Sequence, residues 1–292
     1  MTEGRIVKLT GGFYYVDIGG KVIECRARGL FRKDNIKPCV GDIAKVEMTD
    51  GDKGYLMDIL LRRNFLVRPP VANIDRIILV LSTADPAPNM LVIDKLLAVA
   101  QHKEIDVAIV VTKRDIADST QLREIYEKSG YEVCVVNSLS DSMSEVIPLM
   151  KDRLCVLAGN TGVGKSTLLN AINPSFSLQT GEISQKLGRG RHTTRTVEIF
   201  EWGGSLIADT PGFSSIETIQ LDRIKKEQLE WCFREFEPYI GECRFSGCSH
   251  TKEKDCAVLE ALEEGVISKS RHDSYLAMYD EAKNLNDWED LK

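Results

Sequence analysis

The chain has 292 residues, with 38 lysines and arginines against 44 aspartates and glutamates and a formal net charge of −6. Its longest apolar stretches are only strand-sized and its first residues lack a signal-peptide core, so we expect neither a membrane partner nor secretion. Eight cysteines without a secretion signal then indicate a reducing compartment and metal binding rather than disulfides.

The first 62 residues alternate short strands with glycine turns. Strands are predicted at 4–9, 13–18, 21–27, 43–48 and 55–61. Five such strands fit a small OB-type barrel, a fold that commonly binds oligonucleotides, although an SH3-like or purely structural barrel fits the same count. A basic cluster here either contacts RNA phosphates or is solvated loop charge. Its members are Arg26, Arg28, Arg32, Lys33 and Lys37, with Phe31 among them.

A second domain is expected to begin near Pro69 and Pro70. From residue 77 onward, apolar strands alternate with helical patterns at 90–101 and 120–128, which is typical of a mainly parallel sheet covered on both faces. After residue 216 the chain becomes helical and acidic, with helices predicted at 221–236 and 269–284. The fold class is therefore multidomain α/β. The expected domains are 1–62, 63–216 and 217–292.

A base-recognition segment is predicted at the end of the strand 107–111. Thr112, Lys113, Arg114 and Asp115 follow it and resemble the N/T-K-x-D motif of GTPases, in which the aspartate accepts from the N–H groups of guanine. Thr112 stands where most such enzymes have asparagine, so we expect one side-chain amide contact to be lost. Taken alone, a charged tetrapeptide after a strand is more often a solvated turn.

A second contact to the base is predicted after the strand 132–136. Ser138 follows it in a segment that resembles the S-A motif, whose backbone N–H reaches guanine O6. Leu139 departs from the usual alanine of that motif. A plain strand-to-loop junction is the alternative interpretation.

A phosphate-binding loop is predicted after the apolar strand 154–158. Residues 159–166 (GNTGVGKS) fit the P-loop pattern, in which backbone N–H groups cradle phosphate oxygens and a helix follows. Lys165 is expected to reach the β and γ phosphates, and Ser166 to ligate magnesium. The predicted contacts of this loop are Gly159, Asn160, Thr161, Gly162, Val163, Gly164, Lys165, Ser166 and Thr167.

The order of these two motifs is reversed relative to ordinary GTPases. The base segment at 112–115 precedes the P-loop at 159–166, whereas in ordinary GTPases it follows. This order predicts a circularly permuted GTPase. A P-loop ATPase or kinase is the alternative if Asp115 does not bind guanine.

A switch segment and a second magnesium motif are predicted downstream. Residues 188–195 (GRGRHTTR) have few apolar side chains, as a switch segment requires, and Thr194 is predicted to contact magnesium, with Thr193 as the neighbouring alternative. After the strand 205–208, Asp209 and Gly212 fit the D-x-x-G pattern, in which the aspartate binds magnesium and the glycine senses the γ-phosphate.

The catalytic residue that orients water is not the usual one. Phe213 stands where Ras-like enzymes have glutamine, and an apolar ring cannot orient water. We therefore assign that role to His192, alongside Thr194 and Lys165 as catalytic residues. The alternative is that His192 contacts phosphate or a partner surface.

A metal site is predicted from four residues that lie within fourteen positions, namely Cys243, Cys248, His250 and Cys256. Three thiolates and one imidazole fit one tetrahedral zinc and leave no open coordination position, which indicates a structural site. The alternative is four reduced or core residues placed together by coincidence.

The motifs together resemble the RsgA (YjeQ/YloQ) family of small-ribosomal-subunit-dependent GTPases along essentially the whole chain. The resemblance implies a cytoplasmic enzyme with an OB-fold, a permuted GTPase domain and a zinc-containing C-terminal domain. It also implies late maturation of the small subunit as the process, with GTP or GDP, the subunit and its rRNA as partners, and hydrolysis stimulated by the subunit. A nucleotide-controlled RNA-binding module with little hydrolytic role is the alternative. The sequence itself gives no oligomeric state, and a monomer is the working expectation.

Overall fold

A barrel of five strands forms the amino-terminal part of the chain. The computed structural model describes residues 1–27, 37–49, 51–137, 143–172, 197–209 and 224–283. The barrel strands are β1 (Thr2–Thr10), β2 (Phe13–Asp17), β3 (Val22–Ala27), β4 (Ile43–Met48) and β5 (Lys53–Ile59). Alternate side chains fill the interior, among them the fully buried Ile6, Val16 and Leu56.

The pairing of these strands distinguishes between the barrel types. The strands are ordered β1-β2-β3-β5-β4, and β4 closes the barrel against β1. The β3–β5 pair is parallel, while the other barrel pairs are antiparallel. A five-stranded closed barrel with such a crossover is an OB-type barrel, so the predicted fold of this region is confirmed.

A short hairpin connects the barrel to the second sheet. It consists of β6 (Phe65–Leu66) and β7 (Val71–Ala72), with Pro69 and Pro70 in its turn. The barrel packs directly against this hairpin at Gly41. The two backbones are so close there that a Cβ atom on Gly41 would lie 2.1 Å from the carbonyl oxygen of Ala72. Arg62 adds an ion pair to the buried Asp42, with Nε 2.7 Å from Oδ1.

Six strands form the central sheet of the described chain. They are β8 (Arg76–Ser82), β9 (Asp106–Thr112), β10 (Glu132–Val135), β11 (Leu154–Ala158), β12 (Glu198–Trp202) and β13 (Ser205–Asp209). Their spatial order is β10-β9-β8-β11-β13-β12, and only β12 runs antiparallel to its neighbour. The chain order therefore reverses at β11, which has β8 on one side and β13 on the other.

Four helices of the described residues cover this sheet. The helices α1 (Met90–His102) and α2 (Thr120–Lys128) pack on one face, and α3 (Met143–Met150) and α4 (Lys165–Ile172) pack on the other. The buried strand β8 serves both layers: Ile77 and Leu79 face α1, while Ile78 and Val80 face α3 and α4. The predicted doubly covered parallel sheet is confirmed.

The barrel and the central sheet are joined edge to edge. Strand β1 pairs antiparallel with β12 at Lys8 and Glu198, and the Lys8 ammonium lies 2.9 Å from the Glu198 carboxylate. The two structures thereby form one continuous hydrogen-bonded sheet.

The carboxy-terminal part is helical but more broken than predicted. It contains α5 (Lys226–Leu229), two 3₁₀ turns at Glu230–Cys232 and Arg234–Tyr239, then α6 (Ala257–Glu263) and α7 (Lys269–Lys283). A continuous helix at 221–236 is therefore wrong, because Phe233 adopts an extended conformation and its ring is buried against Phe236 and Tyr275. Among the residues described, the chain has no helix that is both long and apolar enough for a membrane crossing.

A buried ionic network holds this part against α1. The fully buried Arg271 lies 2.7 Å from Asp94 of α1 and 2.7 Å from Glu235, and its guanidinium packs over the Phe233 ring. The Tyr126 hydroxyl donates to Asp94 at 3.2 Å. Burial raises the pKa of Asp94, while Arg271 counteracts that shift. Removing either partner would leave an uncompensated buried charge.

Candidate nucleotide site and metal centre

The predicted phosphate loop lies at the carboxyl end of β11. Gly159 follows the strand with φ of +148°, and a Cβ atom there would lie 2.3 Å from the carbonyl oxygen of Val80. Only glycine allows the backbone to pass β8 this closely. Helix α4 begins at Lys165, so its N-terminal N–H groups face the loop, which is the arrangement that binds phosphate.

The Lys165 ammonium lies inside the loop. It donates to the carbonyl oxygens of Gly159 at 2.5 Å and Asn160 at 2.7 Å. Burial lowers its pKa to about 8, because a charged amine is poorly solvated there. A bound phosphate would supply the opposite charge. The loop therefore holds a lysine whose charge an anionic ligand would stabilise.

The remaining loop residues differ in exposure. Thr161 and Gly162 are exposed, and Val163 is buried in the core beneath the loop. Ser166 and Thr167 occupy the first turn of α4 and are half-buried. A serine hydroxyl at this position, with an aspartate carboxylate, is a hard-oxygen donor set that fits Mg²⁺.

The aspartate of that donor set belongs to the neighbouring strand. Asp209 is the last residue of β13, and β13 runs parallel to β11 with Ala208 opposite Val156. Its backbone therefore lies at the same carboxyl end of the sheet as the phosphate loop. Its side chain lies outside the described residues.

The base segment is tied directly to the phosphate loop. Thr112 ends β9, and its buried hydroxyl lies 3.1 Å from the carbonyl oxygens of both Leu81 and Val163. The sequence predicts only that Thr112, in place of asparagine, loses one side-chain amide contact to the base. In the structure, the hydroxyl bridges the base segment to the P-loop, a tertiary contact that the pattern alone does not reveal.

The three residues after Thr112 form a turn. The Lys113 ammonium donates to the carbonyl oxygen of Asp85, and the Arg114 guanidinium donates to the Asn137 side chain at 2.6 Å. Asp115 is exposed, and no donor among the described residues bonds to its carboxylate. This carboxylate can therefore accept hydrogen bonds from a ligand.

The alternative switch residue Thr193 and the basic-cluster residues Arg28, Phe31, Arg32 and Lys33 lie outside the described part of the chain. So do four predicted residues of the nucleotide site. They are Ser138, His192, Thr194 and Gly212. Their roles in base binding, water activation, magnesium binding and phosphate sensing stay predictions. The described half of the site contains the phosphate loop and the base segment, at the carboxyl ends of the parallel strands β11 and β9, between which β8 lies.

The four predicted metal ligands meet in one cluster. The ligand atoms of Cys243, Cys248, His250 and Cys256 all lie within 4.8 Å of one another. His250 Nδ1 is 3.6 Å from the Cys243 sulfur and 3.4 Å from the Cys256 sulfur, and those two sulfurs are 3.8 Å apart. Around a tetrahedral zinc, with Zn–S near 2.3 Å and Zn–N near 2.0 Å, neighbouring ligand atoms are about 3.5–3.8 Å apart. The donor set and its spacing fit zinc.

The chemistry of the thiols also favours a cation. Burial and the neighbouring sulfur atoms raise the pKa of Cys248 to about 12, and burial raises the pKa of Cys256 as well. Three thiolates held together need a positive charge, which a divalent metal supplies. All four protein ligand positions are filled, so the cluster has the composition of a closed structural site.

A carboxylate that sequence reasoning missed orients the histidine ligand. Glu230 Oε2 lies 2.9 Å from His250 Nε2. With Nδ1 directed at the thiols, Nε2 carries the proton and donates to Glu230, which is the usual outer contact of a zinc-bound histidine. Glu230 precedes the cysteine loop by thirteen residues, and no spacing rule points to it.

The loop around the ligands is fixed by its own hydrogen bonds. The Glu253 carboxylate accepts from the backbone N–H groups of Ser249 and Thr251, at 3.0 and 2.9 Å. Burial would raise the pKa of Glu253, but the Ser249 hydroxyl and backbone N–H groups such as those of Lys252 and Thr251 lower it to about 2. The His272 ring donates to the His250 carbonyl oxygen at 2.8 Å and helps to hold His250 at φ of +53°.

Comparison with known protein families agrees with this geometry. The model of the RsgA N-terminal domain matches residues 3–56, and the model of the RsgA GTPase matches residues 59–219, more than half of the chain. The chain belongs to the RsgA GTPase family. The family resemblance predicted from the motifs is confirmed.

Curated RsgA relatives cover almost the whole chain. A protein of Caldanaerobacter subterraneus subsp. tengcongensis is 45% identical over 287 residues, which are 96% of each chain. A protein of Bacillus subtilis is 41% identical over 296 residues, with 97% of this chain and 98% of the relative covered. Both are named small ribosomal subunit biogenesis GTPase RsgA.

Solved RsgA-type structures share the fold. The crystal structure of YloQ, a circularly permuted GTPase, has a TM-score of 0.80 at 38% identity and covers 97% of this chain and 96% of its own. The crystal structure of YjeQ from Thermotoga maritima has a TM-score of 0.79 at 31% identity, with 98% and 99% covered. The permuted order of motifs predicted here is thus shared with a solved relative.

Proposed function

We propose that this chain is a magnesium-dependent GTPase that binds the small ribosomal subunit and couples GTP hydrolysis to its late maturation. The RsgA family match and the names of the relatives support this function. The structural observation that carries it is the contact of Thr112 with Val163, which joins the base segment to the phosphate loop. The alternative of a nucleotide-controlled RNA-binding module with little hydrolysis is not favoured, because the relatives are named GTPases.

In our proposal, each of three domains has its own function. The barrel (1–62) contacts RNA, the permuted GTPase domain (63–216) binds and hydrolyses GTP, and the zinc-binding helical domain (217–292) completes the subunit-binding surface. The match of the RsgA N-terminal domain ends at residue 56, and the match of the RsgA GTPase begins at residue 59. Both support a boundary between the barrel and the GTPase domain in this region.

The proposed roles in the nucleotide site follow the motifs. Asp115 accepts from guanine and Ser138 donates to its O6, while Lys165 neutralises the β and γ phosphates. Magnesium is held by Ser166, Thr194 and Asp209, and Gly212 senses the γ-phosphate. His192 positions the attacking water. Because phosphoryl transfer depends mainly on positioning and charge stabilisation, slow intrinsic turnover is expected until the subunit orders these groups.

An exposed aromatic and basic row supports RNA binding by the barrel. Arg26 of β3 lies opposite Phe13 of β2 and Tyr55 of β5 in the strand registers. Its guanidinium stacks 4.8 Å from the Phe13 ring centre, and 40% of Tyr55 is exposed. Cations and aromatic faces in one row suit phosphates and unstacked bases of single-stranded RNA.

We further propose a cytoplasmic monomer without a membrane partner. None of the eight cysteines of the chain forms a disulfide, which fits a reducing compartment. The ribosome-related names of the relatives support the same location. Sedimentation of the purified protein with and without nucleotide tests the monomer.

The first test is phosphate release from GTP with and without purified small ribosomal subunits. A large stimulation supports the coupled GTPase, whereas binding to the subunit without stimulation supports the RNA-binding module. His192→Ala should bind GTP normally and lose most of the stimulation. If His192→Ala keeps full stimulated turnover, its catalytic role is wrong.

A second test concerns the base. Asp115→Asn should weaken GTP binding and improve binding of xanthosine triphosphate, because the amide donates where the carboxylate accepted. Unchanged preference for guanine over xanthine and adenine would contradict the assignment of this segment.

A further inference from the structure

The loop at 83–89 lies between the base segment and the phosphate loop. It follows β8, the strand that separates β9 from β11. Pro86 lies 3.7 Å from where a Cβ atom of Gly162 would be, so the loop packs against the P-loop. A small cavity of about 10 Å³ lies between them, lined in part by Pro86, Asn89 and Val163.

Thr83 of this loop holds the backbone of the base segment. Its backbone N–H donates to the Thr112 carbonyl oxygen at 3.2 Å, and its hydroxyl donates to the Lys113 carbonyl oxygen at 2.7 Å. The N–H of Lys113 in turn donates to the Asn137 carbonyl oxygen at 3.1 Å. Lys113 is therefore held from both sides.

The residue that these hydrogen bonds fix, Lys113, has an unfavourable backbone conformation. Lys113 has φ of +63°, a left-handed conformation that a side chain other than glycine or asparagine seldom adopts. Such a conformation persists only when neighbouring contacts enforce it, and it is concentrated at functional sites. The Thr83 hydroxyl is one of the contacts that enforce it.

The held carbonyl also closes the turn that contains Asp115. The N–H of Ile116 donates to the Lys113 carbonyl oxygen at 2.9 Å, so the turn from Lys113 to Ile116 begins at the atom that Thr83 contacts. The same loop binds the Lys113 ammonium through the Asp85 carbonyl oxygen. The backbone at Lys113 sets the direction of both the lysine and the aspartate.

We propose that Thr83 is a positioning residue for guanine recognition, acting through the Lys113 carbonyl to orient Asp115 and Lys113. The proposal rests on the assignment of 112–115 as the base segment. Both hydrogen bonds of Thr83 described above go to the backbone of the base segment. Its hydroxyl therefore governs nucleotide affinity and not the chemical step.

The test compares Thr83→Val, which keeps the shape and removes the hydroxyl, with Thr83→Ser, which keeps the hydroxyl. Binding of GDP and GTP is measured by calorimetry, and KM and kcat are measured for subunit-stimulated hydrolysis. One lost hydrogen bond corresponds to about a 3- to 10-fold rise in Kd for both nucleotides. We expect a matching rise in KM, an unchanged kcat, and restoration within about twofold by serine.

A threonine outside the site supplies the matched control. Thr49 is an exposed residue of the barrel, and Thr49→Val should leave both Kd values unchanged. Binding by Thr83→Val within about twofold of the unsubstituted protein would overturn the proposal. The same holds if Thr83→Ser binds as weakly as Thr83→Val, since loss of shape rather than of the hydroxyl would then be responsible.

Asp115→Asn separates this inference from the assignment on which it rests. If Asp115→Asn shifts preference toward xanthine while Thr83→Val has no effect, the base segment stands and the positioning role fails. If Asp115→Asn leaves the preference unchanged, the base segment itself is wrong and the role of Thr83 falls with it. Where both assignments hold, the two substitutions combined should raise the GDP Kd less than the product of their separate effects, because they act through one contact.

Discussion

The metal centre and the nucleotide site are built in opposite ways. All four metal ligands come from residues 243–256, and short-range hydrogen bonds hold their loop. The described nucleotide-site residues come from the ends of β9, β11 and β13, which are distant in the chain and are brought together by the sheet. A local site can be inferred from spacing, whereas a site of strand ends depends on sheet topology.

The two sites also differ in what they lack. The metal cluster supplies a complete set of protein ligands and needs only a cation. The phosphate loop presents a half-buried lysine and backbone N–H donors, which an anion would neutralise and accept from. If the contrast is correct, damage to one site should leave the other intact.

Loss of a metal ligand should have the largest effect. Cys248→Ser should lower zinc content from about one ion per chain to almost none and unfold the C-terminal part, because structural zinc contributes on the order of 10 kcal/mol. Atomic absorption and thermal melting measure this. Cys134→Ser, a half-buried cysteine outside the cluster, is the control and should retain zinc. Normal zinc content in Cys248→Ser would contradict the site.

Loss of the P-loop lysine should have the second-largest effect. Lys165→Ala should reduce subunit-stimulated GTP turnover by about 10²- to 10³-fold, since a charge that stabilises the transferring phosphates is removed. Zinc content should not change, which separates the two sites. Lys269→Ala removes an exposed lysine of α7 and should be neutral. Turnover within threefold of normal would exclude Lys165 from the phosphate site.

The outer carboxylate of the metal centre should have a smaller effect. Glu230→Ala should weaken zinc binding by about 10- to 100-fold, because His250 loses the partner that fixes its ring. Competition with a chelating indicator measures the affinity. Glu227→Ala, an exposed change on the preceding helix, is the control. Equal zinc affinity in both variants would show that the contact with His250 is unimportant.

The pH dependence of nucleotide binding should be the smallest effect. The pKa of Lys165 is lowered to about 8, so the amine is charged below pH 8 both before and after phosphate binds. Above pH 8, binding must take up a proton, and affinity should fall by up to about tenfold per pH unit. Calorimetry between pH 7 and 9 in two buffers measures this uptake. Lys165→Arg stays charged, so an equal slope in that variant would assign the effect to another group.

Much of the molecule was predictable because its signals are local. A small barrel follows from five alternating strands, although its OB type was decided by the strand pairing. The doubly covered sheet follows from buried strands such as β8 and β11. The metal cluster follows from ligand spacing within fourteen residues. The helix predicted at 221–236 was wrong because burial of Phe233 outweighs helical periodicity there.

The sequence by itself determined the family, the permuted order of the motifs, and the residue types that bind phosphate and metal, because these properties reside in short contiguous patterns. Only the tertiary structure decided that Thr112 bridges the two nucleotide motifs, that Thr83 holds Lys113 in a left-handed conformation, and that Glu230 supports His250. Each of these contacts joins residues far apart in the chain, and their distances are set by sheet order and helix packing rather than by spacing.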